Sequence, residues 1–389
     1  MALVVARRVV MALTLLCSAC SMRMPLVPPA TPAPTPTLSC VDRVLAAMTD
    51  DQRVGQLFFL GLANNQLGPN EIHAIQAEHV GSVWFVDQSQ AGVAGIRAVT
   101  DAVQAQVSSA STANVGFLIA ANQEGGITQA LHGTGFSEIP SATTQGTFAV
   151  ETLQADAVTW GGELKAAGVN LNFAPVMDVV PPGQDAQNQP IGVLHREYGH
   201  DPASVSAHGT AFLRGMRQAG IEGTLKHFPG LGRVQGNTDV TAAVVDTVTT
   251  PDDPYLQPFA QGIADGAGLV MVALATYTQI DPNHLAAFSP AVMQLLRRNL
   301  GFTGVIVSDD LGATAAVADI PPATRANSFL DAGGDLIISK TTAATDAMIA
   351  ALQARVRTDQ AFRERVANST RRVLALKQRL GLLPCGTSQ

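Results

Sequence analysis

The sequence contains few charged residues for its length and no run of basic ones. Only 14% of its 389 residues are Asp, Glu, Lys or Arg, and 24 basic residues against 31 acidic ones give a formal net charge of −7. Nucleic-acid binding leaves a basic patch or stripe in a sequence, so this composition argues against nucleic acid as a partner. Because 47% of the residues are hydrophobic, the chain can bury a large core and is neither disordered nor fibrous.

The sequence also lacks the motifs of common nucleotide and metal sites. No G-x-G-x-x-G follows its first strand-like run and no P-loop occurs, although both are signatures of nucleotide-binding sheets. His73 and His79 are six residues apart, which is not the spacing of two ligands on one helix face, and His195 and His200 lie in a polar loop. We therefore expect no metal site.

Residues 1–19 have the layout of a secretory signal. Two arginines precede a short apolar stretch, small residues end it, and Cys20 follows. The apolar stretch is too short to be a membrane-spanning helix. The small residues before Cys20 resemble the lipobox of bacterial lipoproteins, although Cys17 stands where that motif usually has Leu. We therefore expect lipidation at Cys20 and an exported lipoprotein anchored to the cell membrane, with plain secretion or an uncleaved anchor as the alternatives.

Residues 20–39 are interpreted as a proline-rich tether. Six prolines interspersed with Thr, Ala and Ser favour extended polyproline conformations and cannot pack into a core. The segment would hold a globular domain, residues 40–389, away from a membrane surface.

Two of the four cysteines, Cys40 and Cys385, frame this domain, and no others lie between them. In an exported protein, an isolated pair at the two ends of a domain is readily interpreted as a disulfide. We therefore expect a Cys40–Cys385 disulfide, and two unrelated free thiols are the alternative.

Eight short apolar runs alternate with amphipathic, helix-like stretches along the domain. The runs are nearly continuous in Val, Ile, Leu and Phe, as strands buried on both faces of a parallel sheet require. One helix should start near Thr49, which has capping-box spacing with Gln52. Eight βα units predict a single-domain (β/α)₈ barrel of the TIM type, with a doubly wound nucleotide-binding sheet as the second choice. The runs cover residues 57–62, 81–87, 115–122, 169–176, 223–228, 269–275, 304–310 and 335–340.

Polar residues collect where several of these runs end. In a barrel, the carboxyl ends of all strands meet at one face, and catalytic residues lie there. A single strand that ends in Asp is ordinary turn chemistry, whereas four strand ends with polar residues on one rim indicate a site. The residues concerned are Asn122, Gln123, Glu124, Asp178, Arg196, Lys226, His227, Asp309 and Asp310.

Four motifs carry a resemblance to a known family. They are NQEGG at 122–126, NFAPVMDV at 172–179, KHFPG at 226–230 and GVIVSDDL at 304–311. In this order and spacing they resemble the single-domain bacterial β-N-acetylhexosaminidases of glycoside hydrolase family 3, whose fold is a (β/α)₈ barrel. The resemblance implies a retaining, exo-acting glycosidase that hydrolyses β-N-acetylglucosaminides of the cell wall or related glycans and needs no cofactor. We also expect a monomer.

The resemblance implies roles for single residues. Asp309 matches the family's nucleophile, which forms a covalent glycosyl-enzyme in a retaining mechanism. Asp310 is expected to point into the packing or to cap the segment that follows. The residues expected to bind the sugar are Asn122, Arg196, Lys226 and His227.

The loop after the fifth strand departs from the family pattern. Asn237, Thr238 and Asp239 stand where the family carries Asp-Ser-His, whose histidine is the general acid/base. Either Asp239 has replaced this histidine, since carboxylic acids serve in most glycosidases, or the site binds sugar without turning it over. We favour the first explanation and assign Asp239 as the acid/base.

Three other departures bear on the substrate. Asn122 stands in place of an Asp, and Leu231 and Leu274 stand in place of histidines. They put the usual sugar preference in question. The alternatives to a hexosaminidase are therefore a sugar-binding envelope lipoprotein with a degenerate site, a β-glycoside phosphorylase or another β-glycosidase.

Overall fold

The structure is a computed structural model that describes residues 38–385 together with residues 2, 3 and 5. The chain divides into two units, Met1–Leu38 and Ser39–Gln389. Apart from the few residues just named, the predicted signal, Cys20 and the predicted tether lie outside the described residues. Within the described part, no helix combines the length and apolarity that a membrane span requires.

Eight parallel strands close into a barrel, as the sequence predicts. Each strand pairs with the next one along the chain, and the last closes onto the first with Ile337 opposite Phe58. Every one of the eight apolar runs coincides with one strand to within a few residues, so the predicted fold is confirmed. The strands are β1 Phe58–Leu62, β2 Ser82–Phe85, β3 Leu118–Ala121, β4 Leu171–Asn172, β5 Glu222–Phe228, β6 Leu269–Val272, β7 Val305–Asp310 and β8 Leu336–Ser339.

The barrel strands are apolar on both faces because side chains fill the barrel and helices cover it. All five residues of β1 are buried. Inside the barrel, the ring of Phe173 meets those of Phe59 and Trp84 edge-on, with centroids 5.3 and 6.0 Å apart. This aromatic layer lies directly below the carboxyl ends of the strands, where a site in a barrel of this kind is expected.

Thirteen α-helices are present in the described part of the chain, and they surround the barrel or extend its loops. Thr49 and Gln52 form the predicted capping box at the start of α2, and Gly220 ends α8 in the left-handed conformation with φ 87°. The helices are α1 Cys40–Ala47, α2 Asp50–Gly55, α3 Pro69–Ala77, α4 Gly92–Gln104, α5 Ser109–Thr112, α6 Ala142–Gln145, α7 Val150–Ala166, α8 Pro202–Ala219, α9 Gln257–Ala264, α10 Pro290–Gln294, α11 Pro322–Ala332, α12 Thr342–Thr358 and α13 Gln360–Arg379.

Short elements lie in the loops. The 3₁₀ turns are Ala63–Asn65, Gly192–Leu194, Pro254–Leu256, Ala286–Phe288 and Ala315–Val317, and one π turn, Leu295–Asn299, extends α10. Two small sheets lie outside the barrel. One joins Gln123–Gly125 to Thr128–Gln129, and the other joins Val245–Asp246, Thr276–Tyr277 and Asp281–Leu285.

The two ends of the domain are tied together. The predicted disulfide between Cys40 and Cys385 is present, with the two Cα atoms 6.0 Å apart. It joins the first helix to the residues that follow α13, and a small apolar cluster that includes Val44, Leu374 and Leu383 packs beside it. The disulfide prediction is therefore confirmed.

Candidate active site

A pocket of about 480 Å³ opens at the carboxyl ends of the barrel strands. Trp84 and Phe173 contribute to its apolar wall, and loops after several strands supply its polar groups. The pocket brings together all six residues that the sequence nominates for catalysis and sugar binding. They are Asn122, Arg196, Lys226, His227, Asp239 and Asp309.

The cationic side of the pocket is organised by Glu124, which is buried. The Arg196 guanidinium donates to its two carboxylate oxygens from Nε and Nη2, both at 2.8 Å, and Lys226 Nζ lies 2.5 Å from Oε1. Burial alone would raise the pKa of Glu124, but Arg196 and Lys226 lower that pKa to about 2. Burial lowers the pKa of Lys226, and Glu124 opposes this change. One fixed carboxylate thus keeps two cations in place at the pocket wall.

Glu124 is a residue whose role the sequence analysis did not assign. Its position depends on Gly125, which has φ 108° and would place a Cβ atom only 2.2 Å from the carbonyl oxygen of Pro140. Glycine therefore lets the chain turn immediately after the carboxylate. The sequence signal that could have indicated a role for Glu124 is an acidic residue between a buried strand and two glycines.

Lys226 has a second partner in the pocket. Its ammonium donates to Asn122 Oδ1 at 2.9 Å. The amide of Asn122 is thereby oriented with its oxygen toward the lysine, which leaves its NH₂ group as a donor for a ligand.

His227 is held from behind by Asp178, which is fully buried. His227 Nδ1 lies 2.7 Å from Asp178 Oδ2, while Oδ1 accepts from the backbone N–H groups of His227 at 3.1 Å and Leu231 at 2.8 Å. This arrangement favours the proton on Nδ1 and leaves Nε2 to accept a hydrogen bond from a ligand. Asp178 also fixes the start of the loop that follows β5.

The two aspartates at the end of β7 have different surroundings. Asp310 Oδ1 accepts from the backbone N–H groups of Gly312 at 2.7 Å and Lys340 at 2.8 Å, and Oδ2 accepts from that of Ala313 at 3.1 Å. It thus joins the turn after β7 to the end of β8, in agreement with the role expected for it. Asp309 is less buried and accepts from the backbone N–H of Asp310 at 2.8 Å, which aims its carboxylate into the pocket.

Asp239 lies on the loop after β5, at the pocket rim. Asn237 Oδ1 accepts from its backbone N–H at 3.0 Å, and its own carbonyl accepts from the N–H of Ala315 at 3.0 Å. The loop is therefore attached to the segment that follows Asp309. Asp239 as a whole is exposed, yet burial of part of it against the pocket raises its pKa. The neighbouring Asp309 carboxylate raises that pKa further, against the opposite effect of Arg196.

The two leucines that replace family histidines are part of the apolar packing. Leu231 is 2% exposed and lines the pocket, and Leu274 is fully buried. Across the described part of the chain, no three His, Cys, Asp or Glu residues are grouped so that they could hold a metal ion. The polar groups that line the pocket are carboxylates, cations, an imidazole, amides and hydroxyls.

A parallel (β/α)₈ barrel with carboxylates and buried cations at the carboxyl ends of its strands is an arrangement that suits a glycosidase. Residues 49–376 match the Glycosyl hydrolase family 3 N terminal domain. The chain therefore belongs to glycoside hydrolase family 3 and is a glycosidase of the β-N-acetylhexosaminidase type.

Solved and curated relatives agree with this placement. The crystal structure of a β-N-acetylhexosaminidase from Beutenbergia cavernae DSM 12333 is similar, with a TM-score of 0.83, 48% identity, and coverage of 85% of this chain and 98% of that one. A family 3 β-N-acetylglucosaminidase from Paenibacillus sp. str. FPU-7 has a TM-score of 0.77 and 30% identity, with coverage of 86% and 63%. A β-hexosaminidase from Stenotrophomonas maltophilia (strain R551-3) is 33% identical over 311 residues, which span 77% of this chain and 88% of the relative.

Proposed function

We propose that the protein is an exo-acting enzyme that hydrolyses β-N-acetylglucosaminides with retention of configuration, with Asp309 as nucleophile and Asp239 as general acid/base. The observation that carries the proposal is the pairing of two unequal carboxyl groups at one pocket. Asp309 is the penultimate residue of a barrel strand and lines the pocket, while Asp239 lies on the rim with a raised pKa. A retaining glycosidase needs one carboxylate to attack and one carboxylic acid to donate a proton.

The first half of the reaction forms a covalent intermediate. Lys226, Arg196 and His227 bind the hydroxyl groups of the terminal sugar, which the pocket wall holds in place. The carboxylate of Asp309 attacks the anomeric carbon and forms an ester bond while the glycosidic C–O bond breaks. Asp239 donates its proton to the leaving oxygen, so the aglycone departs as a neutral alcohol.

The second half releases the sugar. Asp239, now ionised, takes a proton from a water molecule whose oxygen attacks the anomeric carbon. The ester bond to Asp309 breaks, and both carboxyl groups return to their starting states. Two inversions leave the anomeric configuration of the product unchanged.

The natural substrate proposed is a β-N-acetylglucosaminide from peptidoglycan fragments or a related glycan. The proposal is supported by the names of the relatives described above and by an exported location, itself proposed from residues 1–19 and Cys20. Replacement of Cys20 by Ser should abolish incorporation of a radiolabelled fatty acid and release the protein from the membrane fraction. Continued labelling of Cys20→Ser would contradict the lipoprotein proposal.

A sugar-binding protein without turnover is the second candidate. The observation that favours it is that Asp239 is exposed on a rim loop, whereas a general acid must come within hydrogen-bond reach of the glycosidic oxygen. In this case Lys226, Arg196 and His227 would still bind a sugar, but nothing would protonate the leaving group.

One assay separates the candidates. The 4-nitrophenyl β-glycosides of N-acetylglucosamine and glucose are incubated with the enzyme, with and without inorganic phosphate, and the product anomer is identified by NMR. We expect nitrophenol release from the N-acetylglucosaminide and an initial β-anomer. Sugar binding without turnover of either glycoside would support the binding protein, and formation of a sugar phosphate would support a phosphorylase.

A further inference from the structure

A second cleft lies at the opposite end of the barrel from the active site. Its volume is about 490 Å³, and it is lined by the segments that enter β6 and β7 and by one side of α13. Three arginines of α13, Arg371, Arg372 and Arg379, line it beside the glycines Gly268 and Gly304. Because these glycines precede parallel strands, the cleft lies at the amino ends of the strands.

Two of these arginines are held by buried carboxylates behind them. Arg372 Nη1 lies 2.9 Å from Asp335 Oδ1, and Arg379 Nη2 lies 2.9 Å from Glu222 Oε2. The carboxylate side chains are 0% and 5% exposed, whereas the two arginine side chains are 37% and 47% exposed. Each guanidinium has five N–H donors, so both keep donors for a further ligand.

The third arginine is tied only at the surface. Arg371 Nε lies 3.0 Å from Asp42 Oδ1, and its side chain is 48% exposed. Asp42 belongs to α1, the first helix of the domain. The domain therefore starts beside the cleft, on the side away from the active site.

Cations outnumber carboxylates around the cleft. Arg217 approaches Gly266, a lining residue, and Arg297 donates to the carbonyls of Phe302 and Gly304. Among the described residues, five arginines thus surround the cleft, whereas three carboxylates pair with them, and nearby Asp265 pairs with Arg214. Burial lowers the pKa of Arg297 and repulsion from Arg372 lowers it further, against the opposing effect of Asp335. This surplus of positive charge occurs in a chain whose formal net charge is −7.

We propose that the cleft is an anion-binding site for a phosphate group, separate from the active site. Arginine forks match the oxygens of phosphate in geometry as well as in charge. The phosphate comes either from a soluble phosphate ester or from the headgroup of an anionic phospholipid, and the position of α1 beside the cleft makes the second source worth testing. The proposal does not depend on the glycosidase mechanism.

Inorganic phosphate is the first probe, titrated calorimetrically into the full chain at low ionic strength. Every protein carries Cys20→Ser, which removes the proposed lipid attachment. Arg371→Gln removes a cleft cation whose partner is at the surface, and we expect about tenfold weaker phosphate binding, as for loss of a hydrogen bond to a charged group. Arg379→Lys, which keeps the charge next to Glu222 but loses the fork, should weaken binding less.

The matched control is Arg97→Gln. Arg97 lies on α4, between β2 and β3 and across the barrel from the cleft, and forms a surface pair with Asp101 at 2.7 Å. Arg97→Gln removes one positive charge, as Arg371→Gln does, and should leave phosphate binding unchanged. Phosphate held by the active-site pocket would be unaffected by Arg371→Gln, so this pair of variants separates the two sites. Thermal unfolding midpoints check that each variant is folded.

Vesicles distinguish the two sources. The same proteins are sedimented with vesicles of phosphatidylcholine alone and of phosphatidylcholine mixed with phosphatidylglycerol. Sedimentation only with the anionic vesicles, reduced by Arg371→Gln and not by Arg97→Gln, supports the headgroup, and binding of phosphate without sedimentation supports a soluble ester. The proposal is overturned if neither probe binds, if both variants lose binding equally, or if Arg371→Gln binds as the parent does.

Discussion

Each end of the barrel contains a buried lysine, and the two lysines have different partners. Lys226 lies at the carboxyl ends of the strands, the open end of the barrel, and contacts the Glu124 carboxylate. Lys377 lies at the amino ends, the closed end of the barrel, where its ammonium donates to Gln56 Oε1 and to the carbonyl of Gly81, both at 2.7 Å. Both partners of Lys377 are neutral.

The difference in partners separates the proposed sugar-binding lysine from a structural one. Burial lowers the pKa of Lys377 to about 7, so near neutral pH this side chain is close to losing its charge. Lys226 is buried as well, but Glu124 and Asp309 oppose the fall of its pKa. A cation that is to bind sugar must stay charged in a dry pocket, and a fixed carboxylate provides this. A lysine that only closes the end of the barrel does not need one.

The largest expected effect is at the open end of the barrel, in Asp309→Asn. The amide cannot form the glycosyl-enzyme, so kcat should fall on the order of 10⁴-fold or more on every substrate. The measurement is turnover of the nitrophenyl glycoside and of a natural disaccharide. Asp101→Asn, at a 60% exposed position on α4, is the control and should keep full activity. Substantial turnover by Asp309→Asn would remove Asp309 from the nucleophile's role.

Glu124→Gln removes the carboxylate that pairs with two cations at the open end of the barrel. The variant leaves Lys226 and Arg196 buried without their shared carboxylate, which should cost about 3–5 kcal/mol of unfolding free energy and raise KM. The folded pKa of Glu124 is about 2, below its ordinary value of 4.5. Its stabilisation is therefore present above pH 4.5 and is lost as the pH falls toward 2. The variant should lack this loss.

Denaturant unfolding at neutral and acid pH, with KM measured in parallel, tests Glu124→Gln. Glu138→Gln is the control, because Glu138 is 78% exposed and pairs only with His132 among the described ion pairs. Equal stability and equal KM in the two variants would show that Glu124 does not hold the cations.

Asp239→Asn tests whether Asp239 is the general acid/base at the open end of the barrel. A nitrophenol leaves without protonation, so its release in the first step should be nearly unchanged, whereas cleavage of a disaccharide should slow by about 10²–10⁴-fold. Because Asp239 must be protonated to act as the acid, disaccharide activity of the parent should fall as the pH rises through its raised pKa. The variant should lack this fall. Asp252→Asn, at an exposed position outside the pocket, is the control.

An unchanged rate of disaccharide cleavage in Asp239→Asn would exclude Asp239 as the acid/base. If the parent cleaves neither substrate but still binds the sugar, the binding-protein candidate is favoured instead. The two outcomes can be told apart, because in the first the parent is an active enzyme with another proton donor and in the second the parent is inactive.

The barrel could be predicted from the sequence because its strands are buried on both faces and appear as continuous apolar runs. The length of each strand could not be predicted in the same way. The run at 169–176 predicts a long fourth strand, but β4 ends at Asn172. Pro175 has no N–H to donate to a ladder, and beyond it only an isolated bridge joins Val176 to Lys226.

The residues that line the candidate site could be predicted from motifs, but the residues that hold them in position could not. Glu124 and Arg196 are 72 positions apart, and Asp178 and His227 are 49 apart. Only the closed barrel brings such pairs together, so no local pattern shows that Glu124 neutralises two cations or that Asp178 orients an imidazole. Lys377 is hidden for the same reason, because its burial depends on how α13 packs against the starts of β1 and β2.

The smallest expected effect is at the closed end, in Lys377→Met. The folded pKa of Lys377 is about 7 and its ordinary value is 10.5, so between these values the unfolded chain binds more protons than the folded protein. Stability of the parent should therefore rise with pH, by about 2 kcal/mol from pH 7 to pH 9 for this group alone. Met fills a similar volume without a charge and should flatten the rise by that amount. Urea unfolding of both proteins at the two pH values measures it, with Lys165→Met, at an exposed position on α7, as the control that keeps the parent's slope. Parallel curves for Lys377→Met and the parent would mean that Lys377 stays charged at the closed end, and the contrast between the two buried lysines would then be lost.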